Sequence, residues 1–173
     1  LCAFGNKRMV GESEQLDRLR RRTAEAVSKG EFEPYFQFVV DRGGTIIGAE
    51  TVSRWQSPED GLLPPSKYID LMIRAGTITE LDLYMLRCAC VQLQTWKREG
   101  RGTLWLSCNF TRQSIADEKI LARVREIVEQ YDFTRDRLVV ELTEDSYAHD
   151  REPALRTIEG LHAMGLRIAM DDM

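Results

Sequence analysis

The chain has 173 residues, of which 43% are hydrophobic and 30% charged, enough for one hydrophobic core and about one domain. Its formal net charge is −4. Binding to a nucleic acid polymer needs a basic face, and this charge does not suggest one, so we expect no such binding. No apolar run approaches the roughly 20 residues of a membrane helix, and no signal peptide opens the chain. We therefore expect no membrane contact by this segment.

The N-terminal segment predicts one helix. Residues 1–12 show no clear hydrophobic period and are interpreted as a tail or linker. Over 13–29, apolar residues recur on one face, and Gly30 is suited to end a helix. We therefore divide the chain into a linker and connector helix at 1–30 and a domain at 31–173.

Two strands follow, "YFQFVVD" at 35–41 and "TIIGAETV" at 45–52. Only the residues "RGG" separate them. A parallel pair needs a crossover of about a dozen residues or more, so these strands are predicted to form an antiparallel hairpin.

Helices and strands then alternate to the last residue. Helices are predicted at 65–76, 79–99, 114–130 and 151–164. Strands are predicted at 103–110, 137–144 and 166–172. Ser66 is expected to cap the first of these helices and Gly76 to end it. Alternation at this spacing is typical of parallel βα units.

The cysteines and histidines do not predict a disulfide framework or a zinc site. The cysteines are scattered without a C-x-x-C pair, at Cys2, Cys88, Cys90 and Cys108. Such thiols favour a reducing, cytoplasmic location. The two histidines, His149 and His162, have no cysteine or histidine ligand at zinc-binding spacing.

The predicted strands end in oxygen-bearing side chains. These are Glu50, Asn109, Glu141, Asp171 and Asp172. In parallel α/β folds the carboxyl ends of the strands form one rim, where active sites lie. Residues two apart on a strand face the same way, so Glu50 shares a face with Val52 and Arg54. We therefore expect the first four of these polar residues to line one pocket.

A divalent cation would make such a pocket stable. Carboxylates packed at short range cannot all stay ionised unless a positive charge offsets them. An all-oxygen set suits Mg²⁺, Mn²⁺ or Ca²⁺. Acidic residues after strands are also common as helix N-caps, and Glu144, Asp145 and Asp150 have that alternative role. The repetition of polar ends on consecutive strands favours the metal site.

These residues also carry a family resemblance. From about Phe32 to its last residue, the chain resembles the EAL domain of cyclic di-GMP phosphodiesterases. The matching stretches are "YFQFVVD", "GAETVSRWQSPEDGLLPP", "LSCNF", "VVELTED" and "GLRIAMDDM", in an order and at a spacing that fit. The resemblance implies an α/β fold, a modified TIM barrel whose first strand is antiparallel. It also implies bacterial second-messenger signalling by hydrolysis of cyclic di-GMP to linear pGpG, with Mg²⁺ or Mn²⁺.

The resemblance assigns roles to single residues. The positions that match the family's metal ligands are Glu50, Asn109, Glu141, Asp171 and, for an aspartate associated with a second metal, Asp172. Arg54 matches an arginine that contacts the substrate phosphate, and Gln37 matches a glutamine near the ligand. The helix before the domain resembles a connector that often follows a diguanylate cyclase domain. An upstream GGDEF or sensor domain and a homodimer are therefore expected partners.

The chain departs from the family pattern at several positions. The signature E-A-L is Glu50-Thr51-Val52 here, and Val52 is smaller than leucine beside the expected ligand. Phe38 and Met173 replace a proline and a phenylalanine of the family pattern. These departures motivate an alternative, a degenerate EAL domain that binds cyclic di-GMP or a partner protein without turnover. A third reading is a purely structural or dimerising module.

The match covers about the first five strands of the barrel. The lysine and later acidic residues that the family uses to orient and activate water are expected beyond residue 173, so no catalytic base is assigned. We expect the 173-residue chain to be part of a longer protein and to be inactive alone, with an exposed edge at "LRIAMDD".

Overall fold

The computed structural model describes residues 3–143 and 151–171, with side chains over 14–142 and 152–170. The predictions for Glu144, Asp145, His149, Asp150 and Asp172 lie outside the described residues. Within the described part, no helix is long and apolar enough to cross a bilayer.

Helices and strands alternate after an N-terminal helix and a hairpin. The helices α1 to α6 are Ala3–Ser28, Ile69–Ala75, Ile78–Arg98, Arg112–Ala116, Ile120–Val128 and Arg151–Ala163. The strands β1 to β6 are Phe32–Val40, Ile46–Ser57, Gly61–Leu63, Trp105–Phe110, Leu138–Thr143 and Arg167–Asp171. Single 3₁₀ turns at Pro65–Lys67 and Arg135–Arg137 precede α2 and β5.

The described strands form one mixed sheet. Its order is β1-β2-β4-β5-β6, and β3 pairs with the end of β2. Strand β1 runs antiparallel to β2, which confirms the predicted hairpin. Strands β2, β4, β5 and β6 are successive parallel neighbours, which confirms the predicted βα units.

The helices cover one face of this sheet, which is called the outer face below. Its buried side chains alternate along the strands with those of the opposite, inner face. The buried strand residues on the outer face are Ala49, Leu106, Cys108, Phe110, Leu138, Val140 and Leu142. They pack against apolar residues of α3 to α6, and this cluster is the main core.

A second core lies between α1 and the hairpin. Phe32 stacks on Trp55 with ring centroids 5.4 Å apart, and Tyr68 meets both rings edge-on. Ala26 of α1 packs into this cluster and is fully buried. Helix α1 is therefore packed against the domain through its C-terminal half.

Helix α1 begins earlier than predicted. The prediction of a tail at 1–12 is wrong over 3–12, which continue the helix. No apolar period marks these residues, but they contain no proline, and lysine, arginine, methionine and glutamate are good helix formers. The missing apolar period was therefore not evidence against a helix here.

The predicted helix at 114–130 is two helices. Asp117 lies at the break between α4 and α5 with an extended ψ of 116°. Its side chain accepts a hydrogen bond from the backbone N–H of Lys119 at 2.9 Å. An aspartate that bonds its own neighbouring backbone competes with helix formation, which explains the break.

The start of α2 also differs from the prediction. Ser66 does not cap it, because Ser66 lies inside the 3₁₀ turn, and the N-cap residue Tyr68 makes no side-chain capping bond. The predicted stop is confirmed, since Gly76 ends α2 in the left-handed region at φ 69°.

Candidate active site

Two of the predicted residues, Glu50 of β2 and Asn109 near the end of β4, are in contact. Strand β2 continues to Ser57, so Glu50 lies near the end of its parallel pairing with β4 and not at the predicted end of the strand. Asn109 donates a hydrogen bond from Nδ2 to Oε1 of Glu50 over 2.8 Å. In the parallel β2–β4 register Glu50 lies beside Ser107, so Asn109 is two residues further along the same face. Both side chains are half-buried. The contact joins residues 59 positions apart in the sequence.

The next strand carries Glu141 to the same row. Glu141 lies beside Asn109 in the parallel β4–β5 register, and its side chain is half-buried. Neighbouring residues of a parallel sheet project to the same face, so Glu141 shares the inner face with the Glu50–Asn109 pair. The predicted row of polar residues is therefore present over three strands.

Asp171 is placed by its backbone alone. It ends β6 and lies beside Thr143, two residues beyond the Glu141–Ala169 pair. This is the strand end and the parity that the sequence predicts. Its side chain and all of Asp172 lie outside the described part, so their ligand roles stay predictions.

The donor chemistry of this rim fits a hard cation. It offers two carboxylates and an amide, and oxygen donors are what Mg²⁺ and Mn²⁺ prefer. Because the amide nitrogen of Asn109 is used toward Glu50, its Oδ1 is the atom suited to a cation. Among the described residues, no group of three histidines, cysteines, aspartates or glutamates could hold a metal. The ligand roles of Glu50, Asn109 and Glu141 therefore stay predictions.

A buried hydroxyl adds to this polar row. Ser107 is fully buried on the inner face, and its Oγ has no hydrogen-bond partner within the described residues. Buried polar atoms without partners are uncommon in folded proteins. Ser107 lies beside Glu50 on one side and Val139 on the other. The base of the rim is thus polar as well as its edge.

A cavity of about 530 Å³ opens beside the Glu50–Asn109 pair. Its walls come from the middle of β2, from α2 and α3, and from the turn after β4. The side chains that line it are mainly apolar and include Val52, Ile69, Ile73, Ile78, Leu81 and Met85. This volume lies within the range of about 300–1,000 Å³ typical of small-molecule sites. A mainly apolar wall with a few polar groups at one end suits an organic ligand with a charged part.

Arg54 and Gln37 flank this region on the inner face. Gln37 lies opposite Glu50 in the β1–β2 pair and is exposed. Arg54 is four residues after Glu50 on β2, roughly 13 Å along the strand. Its guanidinium donates to the carbonyl of Ser53 at 2.8 Å and lies 5.6 Å from the Tyr35 ring centroid. The predicted shared face is therefore confirmed, whereas the contact of either residue with substrate stays a prediction.

Sequence reasoning missed Asp82. This carboxylate of α3 is 6% exposed and lines the cavity. Its Oδ2 accepts hydrogen bonds from Thr111 N at 2.8 Å, Thr111 Oγ1 at 2.9 Å and Ser114 Oγ at 2.6 Å. Burial raises the pKa of Asp82 to about 6, although these three donors act in the opposite direction. The signal in the sequence that could have pointed to Asp82 is its place, as a charged residue, among the apolar residues that recur along α3.

The buried thiols are not candidate nucleophiles. Burial raises the pKa of Cys90 to about 12 and the pKa of Cys108 well above its usual value. Only a thiolate is a good nucleophile, and both groups stay protonated near neutral pH. Cys108 faces the outer core, directly behind the polar rim.

Comparison with protein families gives one match over most of the chain. The model of the EAL domain family matches residues 20–173. The match begins within α1 and includes all of the strands described above.

Curated relatives carry activities in their names. The bifunctional diguanylate cyclase/cyclic di-GMP phosphodiesterase MucR of Pseudomonas aeruginosa is 27% identical over 172 residues, 99% of this chain and 25% of MucR. The cyclic di-GMP phosphodiesterase PdeR of Escherichia coli is 28% identical over 138 residues, 80% of this chain and 21% of PdeR. The chain thus spans about a quarter or less of these relatives.

Solved structures show the same architecture. The complex of the PaMucR phosphodiesterase with c-di-GMP has a TM-score of 0.82 and 26% identity, over 90% of this chain and 64% of that chain. The Xanthomonas citri FimX EAL domain in complex with c-diGMP has a TM-score of 0.79 and 19% identity, over 92% of this chain and 62% of that chain. The second likeness concerns the fold alone.

Proposed function

Because this chain belongs to the EAL domain family, we propose that it provides the metal-binding rim of a phosphodiesterase that hydrolyses cyclic di-GMP to linear pGpG, with Mg²⁺ or Mn²⁺. The observation that carries the proposal is the Glu50–Asn109 hydrogen bond between two parallel strands, near the end of their pairing and beside a cavity of ligand size. The names of MucR and PdeR and the likeness to a phosphodiesterase complex at 26% identity support the substrate class.

The residues of the rim hold the cation in this proposal. Glu50, Asn109 and Glu141 supply oxygen ligands, and Asp171 and Asp172 complete the set. When bound, the cation supplies positive charge for the phosphate oxygens and acidifies a water molecule. The Asn109–Glu50 hydrogen bond fixes the orientation of both side chains before any ligand enters.

The remaining residues bind and orient the substrate. Arg54 offers a planar guanidinium that can contact two phosphate oxygens at once. Gln37 faces the same side from β1 and offers an amide. The apolar wall with Val52 excludes water from one side of the rim, which strengthens the electrostatic interactions there.

Turnover in the full-length protein tests the proposal. Cyclic di-GMP is incubated with Mn²⁺ and formation of pGpG is followed. The proposal expects pGpG from the wild type and none from Glu50→Ala. Glu50→Ala and Glu141→Ala should each weaken Mn²⁺ binding by about tenfold or more, whereas Glu59→Ala, which removes an exposed carboxylate, should not.

The alternative is binding without turnover. It is motivated by Val52, a wall residue of the cavity that is smaller than the leucine of the family signature. Tight cyclic di-GMP binding without pGpG would favour this alternative. Neither binding nor turnover would leave a structural or dimerising module.

A further inference from the structure

The turn between β4 and α4 fixes where Asn109 points. Asn109 is followed by Phe110, the last residue of β4, and then by Thr111, the N-cap residue of α4. Helix α4 has five residues, too short to be stable from its own hydrogen bonds. Its N-cap side chain makes no capping bond within the helix. Another element must therefore hold this turn.

Asp82 of α3 fixes this turn by accepting its hydrogen bonds. A single carboxylate oxygen accepts the backbone N–H and the hydroxyl of Thr111, and also the hydroxyl of Ser114, all within 2.9 Å. The three donors lie on the N-cap and the first turn of α4. A carboxylate that meets orphan N–H groups at a helix start does the work of a capping side chain, here delivered from another helix.

Asp82 is itself held in place, because the part of α3 that carries it is packed in the core. Ile78, Leu81, Met85 and Leu86 on the same stripe of α3 are at most 5% exposed, so the backbone that carries Asp82 is packed on both sides of it. A buried, multiply bonded carboxylate has few alternative rotamers. Asp82 thus connects the packed core of α3 to the residue two positions after Asn109.

We propose that Asp82 is a positioning residue, which acts through Thr111 to hold Asn109 in register with Glu50 at the rim. The inference rests on the proposed function, because it takes Asn109 to be a ligand of the cation site. Without Asp82, the turn after β4 loses its acceptor, and the Asn109 amide loses the fixed geometry of its 2.8 Å bond to Glu50. Asp82 itself does not need to touch the substrate or the cation.

The test is Mn²⁺ affinity, measured by calorimetry on the full-length protein. Asp82→Ala should weaken Mn²⁺ binding by about tenfold or more, a size typical for residues that orient metal ligands. Asp82→Asn keeps an oxygen acceptor at the same place, so its affinity should stay within about threefold of the wild type. If Asp82→Ala does not fold, Asp82→Ser, one bond shorter and still polar, replaces it with the same expectation.

A double variant shows whether the effect passes through Asn109. In the Asn109→Ala background, Asp82→Ala should weaken Mn²⁺ binding no further, because the ligand that it positions is already absent. An additional loss equal to that of the single variant would overturn the proposal. So would an Asp82→Ala protein whose affinity is within about threefold of the wild type.

A matched control separates positioning from general destabilisation. The buried hydroxyl of Thr157 anchors the other end of α4 by donating to the carbonyl of Ile115 at 3.0 Å. Thr157→Val should lower the melting temperature and leave Mn²⁺ affinity unchanged. If it weakens binding as much as Asp82→Ala, the specific role of Asp82 is overturned.

Failure of the proposed function gives a different result. Unchanged Mn²⁺ affinity in both Glu50→Ala and Asn109→Ala would remove the metal site itself. Weakened binding in these two variants, with unchanged binding in Asp82→Ala, would remove only the positioning role.

Discussion

The two faces of the sheet have different roles, since the outer face forms the core and the inner face carries the candidate site. The outer face of β4 presents Leu106, Cys108 and Phe110, all at most 1% exposed and packed under helices. The inner face of the same strand presents Trp105, Ser107 and Asn109, a row that ends in an amide bonded to a carboxylate. Residues that alternate along one strand thus belong either to the core or to the candidate site.

This division explains how polar groups can be tolerated at the centre of the sheet. The apolar outer face supplies the burial that stabilises the strands, at roughly 25 cal/mol for each Å² of apolar surface removed from water. The inner face is then free to carry carboxylates whose mutual repulsion does not favour folding. The comparison predicts that substitutions on the outer face change stability and that those on the inner rim change ligand affinity.

The largest expected effect is on the outer face. Leu106→Ala should lower the free energy of unfolding by about 2–5 kcal/mol, because Leu106 is fully buried at the centre of the main core. Mn²⁺ affinity of the folded protein should not change. Urea unfolding and calorimetry on the same samples measure the two quantities.

The matched control for Leu106→Ala is on the inner face of the same strand. Ser107→Ala removes a buried hydroxyl that has no partner within the described residues, so its effect on unfolding should be near zero or stabilising. Equal losses of stability in the two variants would break the division between the faces.

The next largest effect concerns the pH dependence of Asp82, which is buried behind the rim. Its pKa in the folded protein is about 6, above the ordinary value of 3.8. Between these two pH values the folded state therefore keeps a proton that the unfolded state has lost. The stability that this group contributes is present at low pH and is lost as the pH rises through 6. The free energy of unfolding of Asp82→Asn, relative to that of the wild type, should therefore rise by up to about 3 kcal/mol between about pH 4 and pH 7.

Urea unfolding of both proteins at several pH values measures this difference. Thr157→Val contains no new or lost titratable group, so its difference from wild type should stay constant over the same pH range. A constant difference for Asp82→Asn as well would show that the carboxyl of Asp82 does not titrate between pH 4 and pH 7.

Part of the contrast between the two faces was predictable from the sequence, namely the part that depends on the alternation of residues along each strand and on where the strands end. Alternation along "LWLSCNF" and "LVVELTE" placed Asn109 and Glu141 on one face, and the short "RGG" connection required an antiparallel hairpin. Both signals are local, within a strand or its turn. The ligand roles of these residues follow from the resemblance and stay predictions.

The support behind the rim was not predictable from local pattern. Asp82 meets Thr111 across 29 positions, and nothing in the sequence near either residue indicates the other. The break at Asp117 and the extension of α1 to Ala3 were missed for a related reason. The hydrophobic period marked neither point, and at Asp117 the competition of its side chain with the backbone decided the break. For Arg54 the face was predicted, but the position of its guanidinium over Tyr35 depends on a neighbouring strand.

A smaller effect is expected at a closely packed position of the inner face, Gly48. The indole of Trp105 lies so close over Gly48 that an added Cβ would overlap ring atoms. Gly48→Ala should therefore displace Trp105 and cost about 1–3 kcal/mol, with a change in tryptophan fluorescence. Gly102→Ala is the control, because its Cβ would meet its nearest atom at an ordinary 3.6 Å. Unchanged stability in Gly48→Ala would show that the indole of Trp105 moves away from Gly48 at no cost.

The smallest effect on stability, and the sharpest test of the inner face as a binding surface, is Arg54→Ala. The side chain is half-buried, and its described contacts are a carbonyl on its own strand and the Tyr35 ring. Loss of these contacts should cost at most about 1 kcal/mol, since exposed cation–π contacts are weak. Affinity for cyclic di-GMP should fall by about tenfold or more, because a charge-assisted phosphate contact contributes about 1.5–3 kcal/mol.

Arg54→Lys should recover only part of this affinity, since an ammonium cannot make the planar two-point contact. Arg98→Ala, at the exposed end of α3, controls for the general loss of positive charge toward an anionic ligand. An Arg54→Ala protein that binds cyclic di-GMP like the wild type would show that the guanidinium only stacks on Tyr35. The candidate site would then be confined to the rim of Glu50, Asn109 and Glu141.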